Sequence, residues 1–383
     1  MISLPMMRWS VCFLSLLLFC SCYRHSSLPL VQASAPPQMS QKMIQLAYQQ
    51  VKNLPERTEF AIAVVEGPET RFLGLRKTAL GVELIGNQQA VFEIGSITKV
   101  FTSHLMMEAI RRGVITDLDQ PIQEVMECPM QEVAPITFRQ LASHTGGLPR
   151  LPSNLILSLA SAQNPYAAYS AKDLEKYLAC KLQLTSPPGT AYQYSNLGAG
   201  LLGYLLSNLQ EQSYEHLLHS QILTPLGMSS TTACRTHVSG RMVPPLNKAG
   251  VIGSHWDFQS LVGAGGIFST SQDLAAYARF QIYAATHQLQ EMTQPQFVVD
   301  RHNEVGLGWH RKLGTAGSPL LWHNGGTGGF RSCMALLPEQ ELAVVVLSNV
   351  SALHNPKQAE IDKLCFAWMD QLAEQRIASK RAK

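Results

Sequence analysis

The stretch VFEIGSITKVFTSHLMMEAIRRG, residues 91–113, changes its periodicity at a glycine. Val91 to Ile94 has strand character. After Gly95 the apolar residues Phe101, Leu105, Ala109 and Ile110 recur at helical spacing on one face, and Gly113 ends the helix. Ser96 therefore opens a helix, and Lys99, one turn on, shares its face. A serine hydroxyl is a weak nucleophile until a neighbouring base takes its proton. A lysine serves as that base where a dry site or a nearby cation holds it neutral, and the helix N-terminus offers backbone N–H groups to a developing oxyanion. Alone, these four residues also fit a helix-capping serine followed by a solvated lysine.

Working outward, Glu59 to Val65 reads as a strand, whereas Leu118 to about Met228 is broken into helical pieces by Pro and Gly. The clearest helices there are Phe138 to Ser143, Ala171 to Leu182 and Leu197 to Leu206. Near the end, Leu320 to His323, Phe330 to Leu337 and Leu342 to Asn349 are apolar strand candidates, the last two joined by a turn at Pro338-Glu339-Gln340. Gln358 to Arg376 has helical periodicity. Strands at both ends of a helical middle imply an α/β fold of the α+β type: an antiparallel sheet flanked by N- and C-terminal helices, with a mostly helical lobe inserted at about 118–235. A cleft between sheet and lobe is the natural site.

Two further constellations lie far along the chain. Tyr194-Ser195-Asn196 follows Pro187-Pro188-Gly189. If that segment is extended, Tyr194 and Asn196 face one cleft; a phenolate near lysine can act as a base, and Asn196 can hold a substrate amide. The other account is a polar loop with Asn196 capping the next helix. His323-Asn324-Gly325-Gly326 ends a strand, and its glycines let substrate approach the backbone, where the Gly326 N–H joins that of Ser96 as an oxyanion donor. A glycine-rich hairpin with an exposed histidine fits equally well.

Taken together, order and spacing are far more specific. Ser-x-x-Lys, Tyr-x-Asn and a basic residue followed by x-Gly form the three-part pattern of the penicillin-recognising serine hydrolases. Phe92-Glu93-Ile94-Gly95, Leu141-Ala142-Ser143-His144-Thr145-Gly146-Gly147-Leu148-Pro149 and Pro187-Pro188-Gly189-Thr190 extend the match. From about Ala61 to the C-terminal helix the chain resembles the class C β-lactamase family, which includes D-Ala-D-Ala carboxypeptidases, D-aminopeptidases and related esterases. The resemblance implies Ser96, Lys99, Tyr194 and His323 as catalytic residues and Asn196, Gly325, Gly326 and Asn355 as substrate-binding ones, with no metal or cofactor required. It implies hydrolysis of D-Ala-D-Ala peptides or β-lactams through an acyl-enzyme. Small-ester hydrolysis, D-aminopeptidase activity and a slowly turning-over penicillin-binding receptor are the alternatives.

The chain departs from the family pattern in its specificity parts. His323 stands where β-lactamases usually carry lysine, and its imidazolium is a candidate ligand for a substrate carboxylate. Arg150 and Leu151 occupy the vicinity of a glutamine that binds the acyl amide in those enzymes. Asn355-Pro356 resembles a carboxylate-binding Asn-Pro, but Lys357 or Gln358 replaces the arginine that follows it.

The remaining signals concern location and bulk properties. Arg8 precedes a compact apolar run, Val11 to Phe19, of signal-peptide size. Residues 1–21 are expected to be a signal peptide of the lipoprotein type, with Ser21-Cys22 as the site; Val31-Gln32-Ala33 is the competing cleavage site. Residues 22–42, rich in Ser, Pro and Gln, read as a linker, and 43–383 as the hydrolase domain. The expected product is an exported, periplasmic monomer anchored to the membrane at Cys22, acting on a small molecule or peptidoglycan-derived peptide. With 46% apolar and 15% charged residues the 383-residue chain is globular. A net charge of +3 without basic blocks gives no sign of a nucleic-acid partner. Cys128, Cys180, Cys234, Cys333 and Cys365 are odd in number and widely spaced, and are expected as buried thiols. The small residues Gly198 to Gly203 are expected to form the face of a packed helix, and His144 to order a loop.

Overall fold

The computed structural model describes residues 39–155, 163–283, 287–313, 319–351 and 358–381, all within one compact unit. The export segment, Cys22 and Asn355-Pro356-Lys357 lie outside the described residues.

The chain opens with α1 (Gln41–Val51) and strands β1 (Glu59–Glu66), β2 (Glu69–Thr78) and β3 (Gly81–Ile85). A short strand β4 (Phe92–Glu93) leads through a 3-10 turn into α2 (Thr98–Arg111). The helices α3 (Phe138–Ala142), α4 (Ala171–Cys180), α5 (Asn196–Leu209), α6 (Tyr214–Leu218) and α7 (Thr224–Leu226) follow. Strand β5 (Phe268–Ser269) pairs back onto β4, and α8 (Ser271–Tyr283) and α9 (His287–Thr293) come next. The chain ends with β6 (Phe297–Val298), β7 (Asn303–Val305), β8 (His310–Lys312), β9 (Leu320–Gly326), β10 (Arg331–Leu337), β11 (Leu342–Ser348) and α10 (Gln358–Arg381). Nine of the strands form one antiparallel sheet in the order β3-β2-β1-β11-β10-β9-β8-β7-β6. This is the antiparallel sheet with terminal helices that the sequence implies.

Alternation along the central strands builds both faces. Phe60, Ile62 and Val64 of β1, with Val344 and Val346 of β11, bury against Met43, Ala47 and Val51 of α1 and Leu364, Trp368 and Leu372 of α10. Ala61, Ala63 and Val65 point the other way, with Val345 and Leu347, into a core shared with α2, α5 and α8. Each large side chain taken from water contributes roughly 1.5–3 kcal/mol. A one-residue slip would push Phe60 and Ile62 into the face where α8 lies close against alanines, so the register is tightly specified.

Several boundaries differ from expectation. Met39 is already buried, and the Ser40 hydroxyl accepts from the Met43 N–H as the cap of α1, so the fold begins before the expected end of the linker at residue 42. The helical lobe, expected at 118–235, shares one continuous core with the sheet and is joined by α8. α2 is buried on nearly every side rather than along one stripe, because its polar members are satisfied internally. The Thr102 hydroxyl contacts the Thr98 and Gly263 carbonyls and the Tyr214 hydroxyl. Among the described cysteines, Cys333 and Cys365 are buried, Cys128 and Cys234 are partly exposed and Cys180 is exposed, all as free thiols. The reason is placement: those three lie in or beside the loops and short helices of the lobe rather than between sheet and α10.

Candidate active site

Ser96 is set by three backbone anchors. Ile94 N–H donates to the Ile267 carbonyl (3.1 Å), Ile267 N–H donates to Thr98 Oγ1 (3.1 Å), and the Ser332 hydroxyl donates to the Ile94 carbonyl (2.8 Å). Gly95 then turns the chain with φ +49°, a left-handed conformation that favours glycine. A Cβ on Gly95 would lie 2.6 Å from the Gly326 nitrogen, and one on Gly325 would lie 1.9 Å from the Ile94 carbonyl oxygen. The end of β9 is thereby laid directly beside the segment that carries Ser96.

Lys99 is 2% exposed and its amine meets three partners: Ser96 Oγ at 3.0 Å, Asn196 Oδ1 at 2.9 Å and the Ala264 carbonyl at 2.7 Å. Among the described residues no carboxylate forms an ion pair with it. Burial, with the Arg150 charge adding to it, holds the amine well below the ordinary lysine range. Two N–H groups go to the amide and carbonyl oxygens, which only accept; the third position faces Ser96 Oγ, as an N–H in the ammonium and as a lone pair in the neutral amine that burial favours. Ala264 had no signal in the sequence beyond a glycine-rich turn. That turn reaches Lys99 because Gly203 of α5 lets it approach closely, with a Cβ on Gly203 falling 3.0 Å from the Gly263 Cα. The small-residue face of α5 thus packs as expected.

Asn196 does not share an extended segment with Tyr194. It is the first residue of α5, and the cap is Ser195, whose hydroxyl accepts from the Gly198 N–H (2.9 Å) and donates to the Pro149 carbonyl (2.7 Å). Both residues nevertheless reach the same cleft. The Asn196 Nδ2 donates to the hydroxyl of buried Tyr166 (3.1 Å), a neighbour the sequence gave no reason to select.

Tyr194 stands among rings: its centroid is 4.6 Å from that of His144, 6.2 Å from His323 and 6.3 Å from His310. Desolvation pushes the phenol above its ordinary range, and a hydrogen bond with Ser96 offsets only part of this. A phenolate requires the neighbouring cations to outweigh burial; here burial outweighs them and favours the protonated phenol. Burial likewise disfavours the imidazolium that made His323 a candidate carboxylate ligand. His323 is 1% exposed, and burial, then His310 and Lys99, hold it well below the ordinary histidine range. Its Nδ1–H donates to the Asn324 carbonyl (2.6 Å), leaving an unpartnered Nε2 lone pair. His310, which the sequence reading passed over, is pushed down to about 4 by burial and Lys99. His144 takes φ +60° and its Nδ1 accepts from the Ser195 N–H (3.3 Å), tying its loop to the start of α5.

The geometry thus gathers Ser96, Lys99, Tyr194, Asn196, His323, Gly325 and Gly326, while Asn355 lies outside the described residues. A nucleophile beside a buried amine and a neutral phenol, with the backbone of Gly326 laid against its own segment, is suited to acyl transfer.

The beta-lactamase family model matches residues 49–363. The D-alanyl-D-alanine-carboxypeptidase/endopeptidase AmpH of Escherichia coli is 28% identical over 325 residues, covering 77% of this chain and 80% of the relative. A beta-lactamase of the same organism is 25% identical, covering 72% and 78%. Among solved structures, a beta-lactamase/D-alanine carboxypeptidase from Yersinia pestis has a TM-score of 0.68 at 23% identity, over 87% of this chain and 99% of that one. An octameric penicillin-binding protein homologue from Pyrococcus abyssi has a TM-score of 0.69 at 21% identity, over 87% and 77%. These two show likeness of fold.

Proposed function

The chain belongs to the beta-lactamase family, whose chemistry is that of serine hydrolases, and we propose that it is an acyl-enzyme hydrolase of D-Ala-D-Ala peptides with Ser96 as nucleophile. The observation that carries the reading is the Ser96 Oγ to Lys99 Nζ contact of 3.0 Å, made by a lysine that forms no ion pair with a carboxylate among the described residues. Lys99 takes the Ser96 proton as Oγ attacks the carbonyl carbon, and the amides of Ser96 and Gly326 receive the oxyanion. Tyr194 gives its phenolic proton to the leaving amine as the C–N bond breaks, and is reprotonated from the Lys99 ammonium. Water then attacks the ester, its proton passing through Tyr194 to the again neutral Lys99; the Ser96 Oγ–carbon bond breaks, Oγ takes the proton back from the Lys99 ammonium, and the acid leaves with Ser96 and Lys99 restored. Neutral His323 positions Tyr194 within this relay, and Asn196 orients the acyl amide.

The name of the Escherichia coli carboxypeptidase relative supports the peptide substrate. β-Lactam hydrolysis is the second reading, supported by the relative named beta-lactamase, since the same acylation opens a lactam ring. The proposal extends to export and to attachment at Cys22, as the apolar run Val11 to Phe19 implies.

Intact-protein mass spectrometry tests all of this in one experiment. Incubated with a D-Ala-D-Ala peptide, a penicillin and an ester, the natural protein should gain the corresponding acyl masses and lose the peptide's fastest; Ser96→Ala should gain none. Adducts that persist in Ser96→Ala would place the nucleophile elsewhere. The same spectra of protein recovered from membranes read the N-terminus, and a mass beginning at Ser34 would sink attachment at Cys22.

A further inference from the structure

Arginines of this protein commonly answer a carboxylate: Arg139 meets Asp119, Arg235 meets Asp257, Arg311 meets Glu304 and Arg331 meets Asp362. Arg150 is exposed and, among the described residues, forms no ion pair. Its guanidinium lies over the Tyr194 ring, 5.2 Å from the centroid. Its backbone is pinned, because its carbonyl accepts from the N–H groups of Asn196 (3.0 Å) and Leu197 (3.2 Å) at the start of α5. A fixed main chain and an aromatic platform hold a planar cation at the edge of the cleft. Its main chain is tied to Asn196, whose side chain holds Tyr166, and its charge acts on the Tyr166 phenol.

Among the described residues, the other basic side chains gathered around Ser96 are poorly suited to receive an anion. Lys99 is buried with its contacts filled, and His323 and His310 are held neutral. We infer that Arg150 is a specificity residue that binds a carboxylate carried on the acyl portion of the substrate, the portion Asn196 orients. The inference rests on the acyl-enzyme reading above and adds the charge of the acyl group. A guanidinium takes a carboxylate through two parallel N–H···O bonds, and at an exposed site that preference is worth up to about fivefold, diminishing with salt.

Two esters with one leaving group make the test: p-nitrophenyl butyrate and mono-p-nitrophenyl glutarate, which differ by a terminal carboxylate on the acyl chain. The ratio of their kcat/KM values, glutarate over butyrate, is measured in natural protein, Arg150→Gln and Arg150→Lys at low and high NaCl. The ratio should fall by up to about fivefold in Arg150→Gln, stay partly preserved in Arg150→Lys, and shrink with salt in the natural protein, which needs no variant to fold. A ratio insensitive to salt, or equal in all three proteins, overturns the inference while Ser96 acylation by both esters leaves the hydrolase reading standing. So does an equal loss on both esters in Arg150→Gln, which would make Arg150 a support for Tyr194. If neither ester acylates Ser96 in the natural protein, the hydrolase reading fails and the inference fails with it.

Discussion

Replacing Lys99 by Met distinguishes a base from a buried cation. Methionine keeps the length and apolar stem of lysine but has no proton to give or take. In the natural structure the amine satisfies the Ala264 carbonyl (2.7 Å) and Asn196 Oδ1 (2.9 Å). Losing a donor leaves a buried carbonyl unpaired at about 1–3 kcal/mol, partly returned because an ionisable group no longer has to be desolvated. The variant should therefore fold, with a modest fall in Tm. General-base catalysis contributes roughly 100- to 10,000-fold, so acylation by a penicillin should drop by that factor. Stopped-flow or quenched-flow mass spectrometry reads the acylation rate directly across pH. Because the neutral amine is the active form, the natural rate should rise with pH through the Lys99 pKa. That pKa is lowered by burial first and by Arg150 second, so the plateau should be reached well below the ordinary lysine range. Lys99→Met should lose this limb. Acylation in the variant within threefold of the natural rate, or a natural rate that falls as pH rises through neutrality, would refute the assignment of Lys99 as base.

Two further outcomes follow from buried histidines. With His323 held neutral by burial, the kcat/KM ratio of a penicillin to a neutral ester should stay flat as pH rises through the ordinary histidine range; a decline there would restore the imidazolium. His104 is 2% exposed and has its pKa pushed down to about 4, chiefly by burial. Below the unfolded pKa the unfolded chain binds the proton first, so this contribution is complete above about 6.5 and is lost as pH falls towards about 4, at a cost of roughly 3 kcal/mol. Urea titrations of His104→Gln and natural protein should show the variant losing less stability over that window, and parallel curves would contradict it.

How much the sequence disclosed depended on whether a feature was local. The central strands β1, β10 and β11 were legible because they are continuous apolar runs bounded by turns, and α2, α4 and α5 because their periodicity is sustained. β6, β7 and β8 were missed: they are two or three residues long and acquire strand geometry only by pairing at the sheet edge. β2 was missed because Arg71, Arg76 and Lys77 interrupt its apolar pattern; Arg71 and Arg76 pair with Glu66 and Glu59 of the neighbouring strand. The reactive residue types were legible from spacing, yet their protonation was not. The charges of Tyr194 and His323 stayed open in the chain, and the surrounding rings and the depth of β9 supply the burial that disfavours both. Ala264 contributes a backbone carbonyl, which no side-chain pattern can announce. Arg150 was visible but had no meaning until its lack of a carboxylate partner was known.

The partners of Lys99 explain why so much of the fold is needed for one amine. Ser96 comes from the turn before α2, Asn196 from the start of α5, and the Ala264 carbonyl from the turn that Gly203 admits. An acidic partner would have been a simpler way to hold a buried lysine, but it would have stabilised the ammonium and removed the lone pair that Ser96 requires. Neutral acceptors from separate segments hold the amine without charging it. The amine's basicity then depends on how closely α2, α5 and the Val262–Ala264 turn pack. A substitution that loosens this packing admits water, raises the Lys99 pKa towards its ordinary value, and weakens acylation at neutral pH without touching a reacting atom.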